Sequence, residues 1–336
     1  MRFVGILLCG LMIPLGCTSP PRPLMVIQGQ TMGTTYQVKM ADAGQDRADL
    51  EEGINALLRE VNRQMSTYQK DSEISRFNQN RTTDWVGISQ DFGYVLDVAR
   101  QVSDLSDGAL DVTVGPIVNL WGFGPEAVPD RIPPADSIDS RKTLVGYEKI
   151  VIQADHKAVR KAMADMYCDL SAVAKGYGVD KVAAYLDDRQ IPEYFVEIGG
   201  EVRVKGRSPD GHRWRIGVAS PTAQGGLQKV VELEDLAMAT SGDYQNYFEL
   251  DGKRYSHTID PRTGRPITHR LASVSVIHKA CAYADALATA INVMGPEKGF
   301  RFAVEQDLPV FMIVKGESGF EERMTPAFEH IFLSRE

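Results

Sequence analysis

The spacing of apolar residues along this chain predicts several helices. In 48–66, apolar residues recur three or four positions apart, which is the spacing of one face of an α-helix. The same spacing predicts helices over 91–108, 172–190 and 284–295. Gly108 and Gly295 stand where two of these helices are expected to end, and Pro296 follows the second.

Other segments alternate between apolar and polar residues, which is typical of strands. The alternation predicts a strand or hairpin over 25–40, strands over 194–208 and 212–220, and at least two more over 229–261. Gly and Pro are dense in 121–134, which predicts a loop. Because helices and hairpins interleave without a regular order, we expect an α+β fold with mixed, largely antiparallel sheets flanked by helices.

The composition is that of an ordinary globular chain. Of the 336 residues, 43% are hydrophobic and 24% are charged, so one large domain or two lobes would both fit. The formal net charge is −8, and no run of basic residues is present. Because nucleic-acid binding needs clustered Lys and Arg, these values argue against a general nucleic-acid binder.

The first residues predict export. Residues 1–17 hold one basic residue, Arg2, and an apolar stretch too short to span a membrane, which indicates a signal peptide. The stretch ends in Gly16-Cys17, which resembles a lipobox, although Pro14 stands where Leu is usual. We therefore expect an inner-membrane lipoprotein facing the periplasm, with a soluble periplasmic protein as the alternative. A Pro-rich tether over 18–27 would precede a single domain over 28–336.

Two cysteines, Cys168 and Cys281, lie outside the predicted signal peptide. In an exported chain they could form a disulfide, and they could equally be two buried thiols that behave as small hydrophobic side chains. The sequence leaves both alternatives open.

Asp285 and Thr289 stand out in the apolar segment 284–290. They are four residues apart on a predicted helix, so they share one face. A carboxylate and a hydroxyl are hard oxygen ligands suited to Mg²⁺, which completes its shell with waters and phosphates. Alternatively, Asp285 interacts with the helix dipole and Thr289 bonds back to a carbonyl.

Two further segments carry candidate chemistry. Small residues precede Lys175 at a predicted helix start, an arrangement that suits close approach of a phosphate. His257 and Asp260 share a turn with two arginines, which suits acid–base and phosphate chemistry or a merely solvated turn.

Eight stretches resemble, in order and approximate spacing, the motifs of the ApbE family, the FAD:protein FMN transferases. They are "TMGTTY", "MSTYQKDSEISRFNQ", "DGALDVTVGPIVNLWGFG", "DLSAVAKGYGVD", "VEIGGEV", "TSGDYQNYF", "YSHTIDPRTGRP" and "ADALATA", and they cover roughly residues 28 to 300. The resemblance implies a T-fold-like architecture with an FAD cleft between two lobes. It also implies that FAD is split, that FMN moves to a Thr or Ser hydroxyl of a partner protein, and that AMP is released.

The resemblance implies roles for individual residues. Mg²⁺ would be held by Asp285, Thr289 and the backbone carbonyl of Ala172. His257 is the candidate general base, and Asp260 would orient the imidazole or bind the acceptor. The implied FAD contacts are Met32, Tyr68, Ala109, Leu110, Asp111, Asp169, Lys175 and Ile259.

Departures from the family pattern are few. Ser171 and Val173 stand where Gly and Ile are frequent, and Glu201 stands where Asp often follows paired glycines. We expect none of them to touch a proposed ligand.

Two rival functions stay in view. One is an FAD pyrophosphatase that yields FMN and AMP, and the other is an exported flavin-binding protein without chemistry. The expected partners are FAD, the membrane through a lipid anchor, and an acceptor protein, with a subunit of a membrane redox complex as the kind of acceptor that the family implies.

Overall fold

A computed structural model of the chain describes residues 23–42, 44–125, 132–221, 225–242, 247–250 and 252–333. The predicted signal peptide with Cys17, and residues 18–22 of the predicted tether, lie outside the described residues. The predicted tether is too long, because the first strand already begins at Leu24. Within the described part of the chain, no helix is both long and apolar enough to cross a membrane.

The structure contains helices and strands in mixed order. The helices are α1 (Arg47–Met65), α2 (Glu73–Gln79), α3 (Gln90–Leu105), α4 (Gly115–Leu120), α5 (Ala135–Lys142), α6 (Ser171–Asp188), α7 (Cys281–Glu305) and α8 (Pro326–Leu333). The strands are β1 (Leu24–Thr31), β2 (Thr34–Ala41), β3 (Val86–Gly87), β4 (Ile150–Ile152), β5 (Ala158–Lys161), β6 (Tyr194–Ile198), β7 (Glu201–Lys205), β8 (Trp214–Ala219), β9 (Leu227–Leu233), β10 (Ala237–Gly242), β11 (Tyr247–Leu250), β12 (Lys253–Ser256), β13 (Ile259–Asp260), β14 (Arg265–Pro266), β15 (Leu271–His278), β16 (Val310–Lys315) and β17 (Phe320–Met324).

An eight-stranded antiparallel sheet forms the centre of the fold. Its strand order is β1-β2-β6-β7-β10-β15-β16-β17. Smaller antiparallel units surround it: the hairpins β8–β9, β11–β12 and β13–β14, and the three-stranded sheet β3-β5-β4. The prediction of an α+β fold with largely antiparallel sheet is confirmed.

The two faces of the central sheet pack against different elements. Helices α1 and α6 pack against one face with Ile54, Val182 and Val196 in a shared core. The β8–β9 hairpin and α8 cover the other face, where Val202 and Val204 of β7 lie in a separate apolar cluster. Since side chains alternate along a strand, the other residues of β7 point toward α6, namely Glu201, Arg203 and Lys205.

The local predictions hold with small shifts of their boundaries. Residues 25–40 form the β1–β2 hairpin, whose turn residues Met32 and Gly33 have φ of 49° and 71°, as a tight two-residue hairpin turn requires. Gly295 interrupts α7 with φ 80° and ψ 179°, so the first helical segment ends where the sequence indicates. Cys168 and Cys281 are free, buried thiols, which agrees with the second of the two alternatives.

Candidate active site

A cleft of about 430 Å³ lies where the N-terminus of α6, the first half of α7 and the ends of several strands meet. The structure brings most of the sequence-predicted site residues to this cleft. It is lined by Tyr68, Ala109, Leu110, Asp111, Asp169, Ala172, Lys175, His257, Ile259, Asp285 and Thr289, among others.

A second cavity, of about 600 Å³, adjoins the first, and Tyr68, Ser171 and Lys175 line both. Met32 lies in the second cavity, beside Gly33 and a segment at the end of α1. The two cavities together offer space for an elongated ligand with two bulky ends, since single drug-sized ligands fill pockets of about 300–1,000 Å³. Asp260 lines neither of these two cavities.

Gly176 lets α6 and α7 approach closely. A Cβ at this position would collide with the Cys281 carbonyl and lie 2.9 Å from the Ala282 Cα. The Gly176 backbone N–H donates a hydrogen bond to Asp285 Oδ2, with a donor–acceptor distance of 3.0 Å. The glycine therefore brings the backbone of α6 within reach of a carboxylate on α7. This close approach explains why a glycine stands inside α6, although Gly weakens a helix by about 1 kcal/mol relative to Ala.

Lys175, Glu201 and Asp285 form a charged cluster at the side of the cleft. The Lys175 Nζ lies 2.7 Å from Glu201 Oε1 and 3.8 Å from Asp285 Oδ1. Glu201 is 2% exposed and Asp285 is 5% exposed. Burial raises the pKa of both carboxyl groups, to about 8 for Glu201, and the charge of Lys175 opposes this effect. Burial alone would lower the pKa of Lys175, but Asp285 and Glu201 hold it above its ordinary value.

The cluster and its neighbours fit a magnesium ion. When all three groups are ionised, two carboxylates face one ammonium, so a further cation would be attracted. Asp285 and Thr289 lie one turn apart on α7 and line the same cleft as Ala172. Because a carbonyl oxygen has two lone pairs, Ala172 can bind a cation even if its helical hydrogen bond is kept. The donor set is entirely of oxygen atoms, as Mg²⁺ prefers. Among the described residues, no group of three or more His, Cys, Asp or Glu side chains could hold a metal ion, so the proposed set depends on one carboxylate, one hydroxyl and one backbone carbonyl.

Asp111 and Asp169 line the cleft and also hold its wall in shape. Asp111 Oδ1 accepts hydrogen bonds from the Thr113 N–H and hydroxyl, and its Oδ2 accepts one from the Tyr147 N–H. Burial raises the pKa of Asp111, although these hydrogen bonds counteract the rise. Asp169 Oδ1 accepts from the Ser171 N–H and hydroxyl, so it organises the turn that begins α6.

His257 lines the cleft from the segment just before β13, whereas Asp260 belongs to β13 and does not line the cleft. The half-buried His257 ring meets Phe123 edge-on, with 6.4 Å between the ring centroids. Both Asp260 oxygens accept hydrogen bonds from the Arg262 guanidinium, at 2.9 and 3.0 Å. The role of Asp260 beside the imidazole therefore stays a prediction.

Glu201 and Ser171, two of the departures from the family pattern, contact residues of the proposed site: Glu201 pairs with Lys175 and Ser171 donates to Asp169. The expectation that neither touches a proposed ligand stays a prediction. The signal for Glu201 was the preceding glycine pair, Gly199 and Gly200, whose φ angles of 60° and 104° form the tight turn that starts β7 at the cleft. The cleft is also lined by Thr240, Ser241 and Gly242 of β10, which begin the stretch "TSGDYQNYF" and to which the resemblance gave no individual role.

The fold and the site define the class first: an α+β enzyme with a ligand cleft bordered by a buried lysine–carboxylate cluster. Comparison with known proteins then identifies the family. The model of the ApbE family matches residues 32–312, and the chain belongs to this family. The resemblance seen in the sequence is thereby confirmed.

Similar proteins agree with this membership. A protein of Vibrio cholerae named FAD:protein FMN transferase is 47% identical, and the match covers 100% of both chains. An Escherichia coli protein of the same name is 37% identical over 98% of this chain and 97% of its own length. The solved structure of the flavin transferase ApbE from Vibrio cholerae superposes with a TM-score of 0.86 at 46% identity, covering 92% of this chain and 99% of that one.

Proposed function

We propose that this chain is an FAD:protein FMN transferase that moves the FMN half of FAD onto a Thr or Ser hydroxyl of a target protein and releases AMP. The bond that forms joins the hydroxyl oxygen to the phosphorus of FMN, and the bond that breaks lies within the pyrophosphate. The observation that carries the proposal is the Lys175–Asp285–Glu201 cluster beside the start of α6, in a chain whose relatives bear that name.

The paired cavities suit the parts of FAD. Met32 and Tyr68, a flexible thioether and an aromatic ring, would pack on the isoalloxazine. The pyrophosphate would lie near the start of α6, where backbone N–H groups and Lys175 favour negative charge. Ala109, Leu110 and Ile259 would border the remainder of the ligand.

Asp285, Thr289 and the Ala172 carbonyl would hold Mg²⁺. Held by these residues, the ion would neutralise negative charge on the pyrophosphate and on the departing AMP. Lys175 adds a fixed positive charge on the same side of the cleft, and Glu201 holds the lysine in place at 2.7 Å.

His257 would take the proton from the attacking hydroxyl. An imidazole has an ordinary pKa near neutrality, so it can accept a proton at physiological pH and pass it to solvent. His257 lines the same cleft as Lys175 and Asp285, so an acceptor hydroxyl in this cleft would meet both the base and the proposed phosphate site. Asp260, fixed by Arg262, would orient this segment or bind the acceptor chain.

One incubation tests the proposal against its rivals. The purified protein is mixed with FAD, Mg²⁺ and a lysate of flavin-starved cells, and in-gel fluorescence and peptide mapping locate any bound flavin. A Thr or Ser peptide carrying FMN, together with AMP, supports transfer. Free FMN and AMP without a labelled peptide would indicate an FAD pyrophosphatase. Intact FAD would indicate a flavin-binding protein without chemistry.

We further propose that the protein is exported and anchored to the inner membrane through Cys17, with an acceptor that belongs to a membrane redox complex. The support is the signal-like sequence of residues 1–17. The change Cys17→Ser should move the protein from the membrane fraction to the soluble periplasm without loss of intrinsic activity. Unchanged partitioning would contradict the lipid anchor.

A further inference from the structure

Asp180 provides the start of α7 with hydrogen-bond partners from a neighbouring helix. The N-cap residue of α7 is Ala280, which has no side chain able to cap. The backbone N–H groups of Cys281 and Ala282 instead donate to Asp180 Oδ1 and Oδ2, each at 3.0 Å. Asp180 belongs to α6, four residues after Gly176 and thus on the same helix face.

Strand β7 holds Asp180 from the other side. Arg203 Nη1 lies 2.6 Å from Asp180 Oδ1. Arg203 follows Glu201 by two positions, so both side chains leave the same face of β7. The strand thus offers a carboxyl group to Lys175 and a guanidinium to Asp180, and both pairs hold α6 in register over β7.

We propose that Asp180 is a positioning residue for the metal site. Its carboxylate ties the first turn of α7 to α6, and so sets where Asp285 and Thr289 stand relative to Ala172. Asp285 is only four residues after Cys281, so any shift at the start of α7 passes directly to the carboxylate. Mg²⁺ accepts little deviation from octahedral geometry at about 2.0–2.1 Å, so a small shift weakens binding. The inference rests on the metal site of the proposed function.

The chain offers a matched control. Asp187 lies on α6 and pairs with Lys205 of β7 at 2.8 Å, so it joins the same two elements as the Asp180–Arg203 pair. Asp187 Oδ1 accepts hydrogen bonds from Lys205 and Tyr194, which both lie outside α7. A charge-removing change at Asp187 therefore breaks a comparable ion pair and leaves the cap of α7 intact.

Binding of Mn²⁺ alone to the purified full chain, followed by electron paramagnetic resonance, tests the inference without any catalytic readout. The change Asp180→Asn should raise the Kd for Mn²⁺ about tenfold or more, the usual effect of removing a group that orients metal ligands. Asp187→Asn should change it less than twofold. An Asp180→Asn protein that binds Mn²⁺ like the wild type would overturn the inference.

Two further variants separate the alternatives. If Asp285→Asn binds Mn²⁺ as tightly as the wild type, the metal site of the proposed function is wrong, whatever Asp180 does. Ala280→Ser in the Asp180→Asn background gives α7 its own N-cap but does not restore the tie to α6. We expect this double variant to regain the melting temperature of the wild type but to keep the low Mn²⁺ affinity of Asp180→Asn. Recovery of both would show that the cap alone matters, and would contradict positioning.

Discussion

The two sides of the cleft are built on different principles. On one side, Lys175 and Asp285 stand on long helices held together by Gly176 and Asp180, and the Asp285 side chain is 7% exposed. On the other, the half-buried His257 precedes the short strand β13, and Asp260 in this strand has a side chain that is 18% exposed.

The difference matches the work that each side would do. Stabilising the charge of a pyrophosphate needs fixed charges that do not have to reorganise, which a buried helix pair provides. Accepting a proton from the hydroxyl of another protein needs a site that a chain can reach, which a partly exposed turn provides. Variants on the two sides should therefore lose activity for different reasons. Added metal should restore activity on one side, and raised pH should restore it on the other.

The largest effect is expected from Asp285→Asn. The change keeps the size of the side chain but removes the charge that would hold Mg²⁺, so AMP release should fall about a thousandfold, in line with several kcal/mol of lost stabilisation. The fold should survive, because the Asn side chain keeps an oxygen that can accept the hydrogen bond from the Gly176 N–H. High Mg²⁺ or Mn²⁺ should restore part of the rate, measured by chromatography of AMP. Near-normal turnover at low Mg²⁺ would mean that the metal site lies elsewhere.

His257→Asn tests the other side of the cleft. Transfer should slow about a hundredfold, the usual share of a positioned general base, while FAD affinity measured by flavin fluorescence stays unchanged. Raising the pH should recover part of the rate, because the acceptor hydroxyl then ionises more readily, whereas adding metal should not. If metal rescues this variant, the two sides do not divide the work as described.

Thr289→Val should have a smaller effect than the loss of Asp285. The substitution nearly preserves shape but removes one neutral ligand oxygen from the helix side of the cleft. We expect about a tenfold rise in the Mg²⁺ concentration that gives half-maximal AMP release, as for other groups that tune metal affinity. An unchanged Mg²⁺ dependence would remove Thr289 from the site and leave Asp285 as the candidate side-chain ligand.

The smallest effect concerns the stability of the helix side. Burial raises the pKa of Glu201 to about 8 in the folded chain, from an ordinary value of 4.5. Between these pH values the folded state keeps a proton that the unfolded state has released, so stability should fall as the pH rises through this range. Urea unfolding in EDTA should show this fall in the wild type and a flatter dependence in Glu201→Gln.

The control for that experiment is Ile259→Val on the turn side, which removes no titrating group and should keep the pH dependence of the wild type. An equal slope in Glu201→Gln and the wild type would mean that Glu201 does not titrate in this range.

Much of the fold was predictable because it is local. Helical spacing placed α1, α3, α6 and the first segment of α7, and alternation placed the β1–β2 hairpin. The small error at the tether arose because Pro-rich composition ends gradually, while pairing with β2 decides where β1 begins. The site residues were recognised through motifs, each of which lies within one short stretch of chain.

The sequence by itself determined that Asp285 and Thr289 share a helix face and that the residues of β7 alternate between two sides, because both properties follow from backbone periods of 3.6 and two residues. Only the tertiary structure decided that Glu201 would meet Lys175 and that Asp180 would cap α7, 101 residues further along the chain. The physical reason is that such contacts depend on how closely helices pack. At Gly176 that distance is set by the absence of a side chain, and no local pattern around Gly176 indicates that α7 is the helix packed against it.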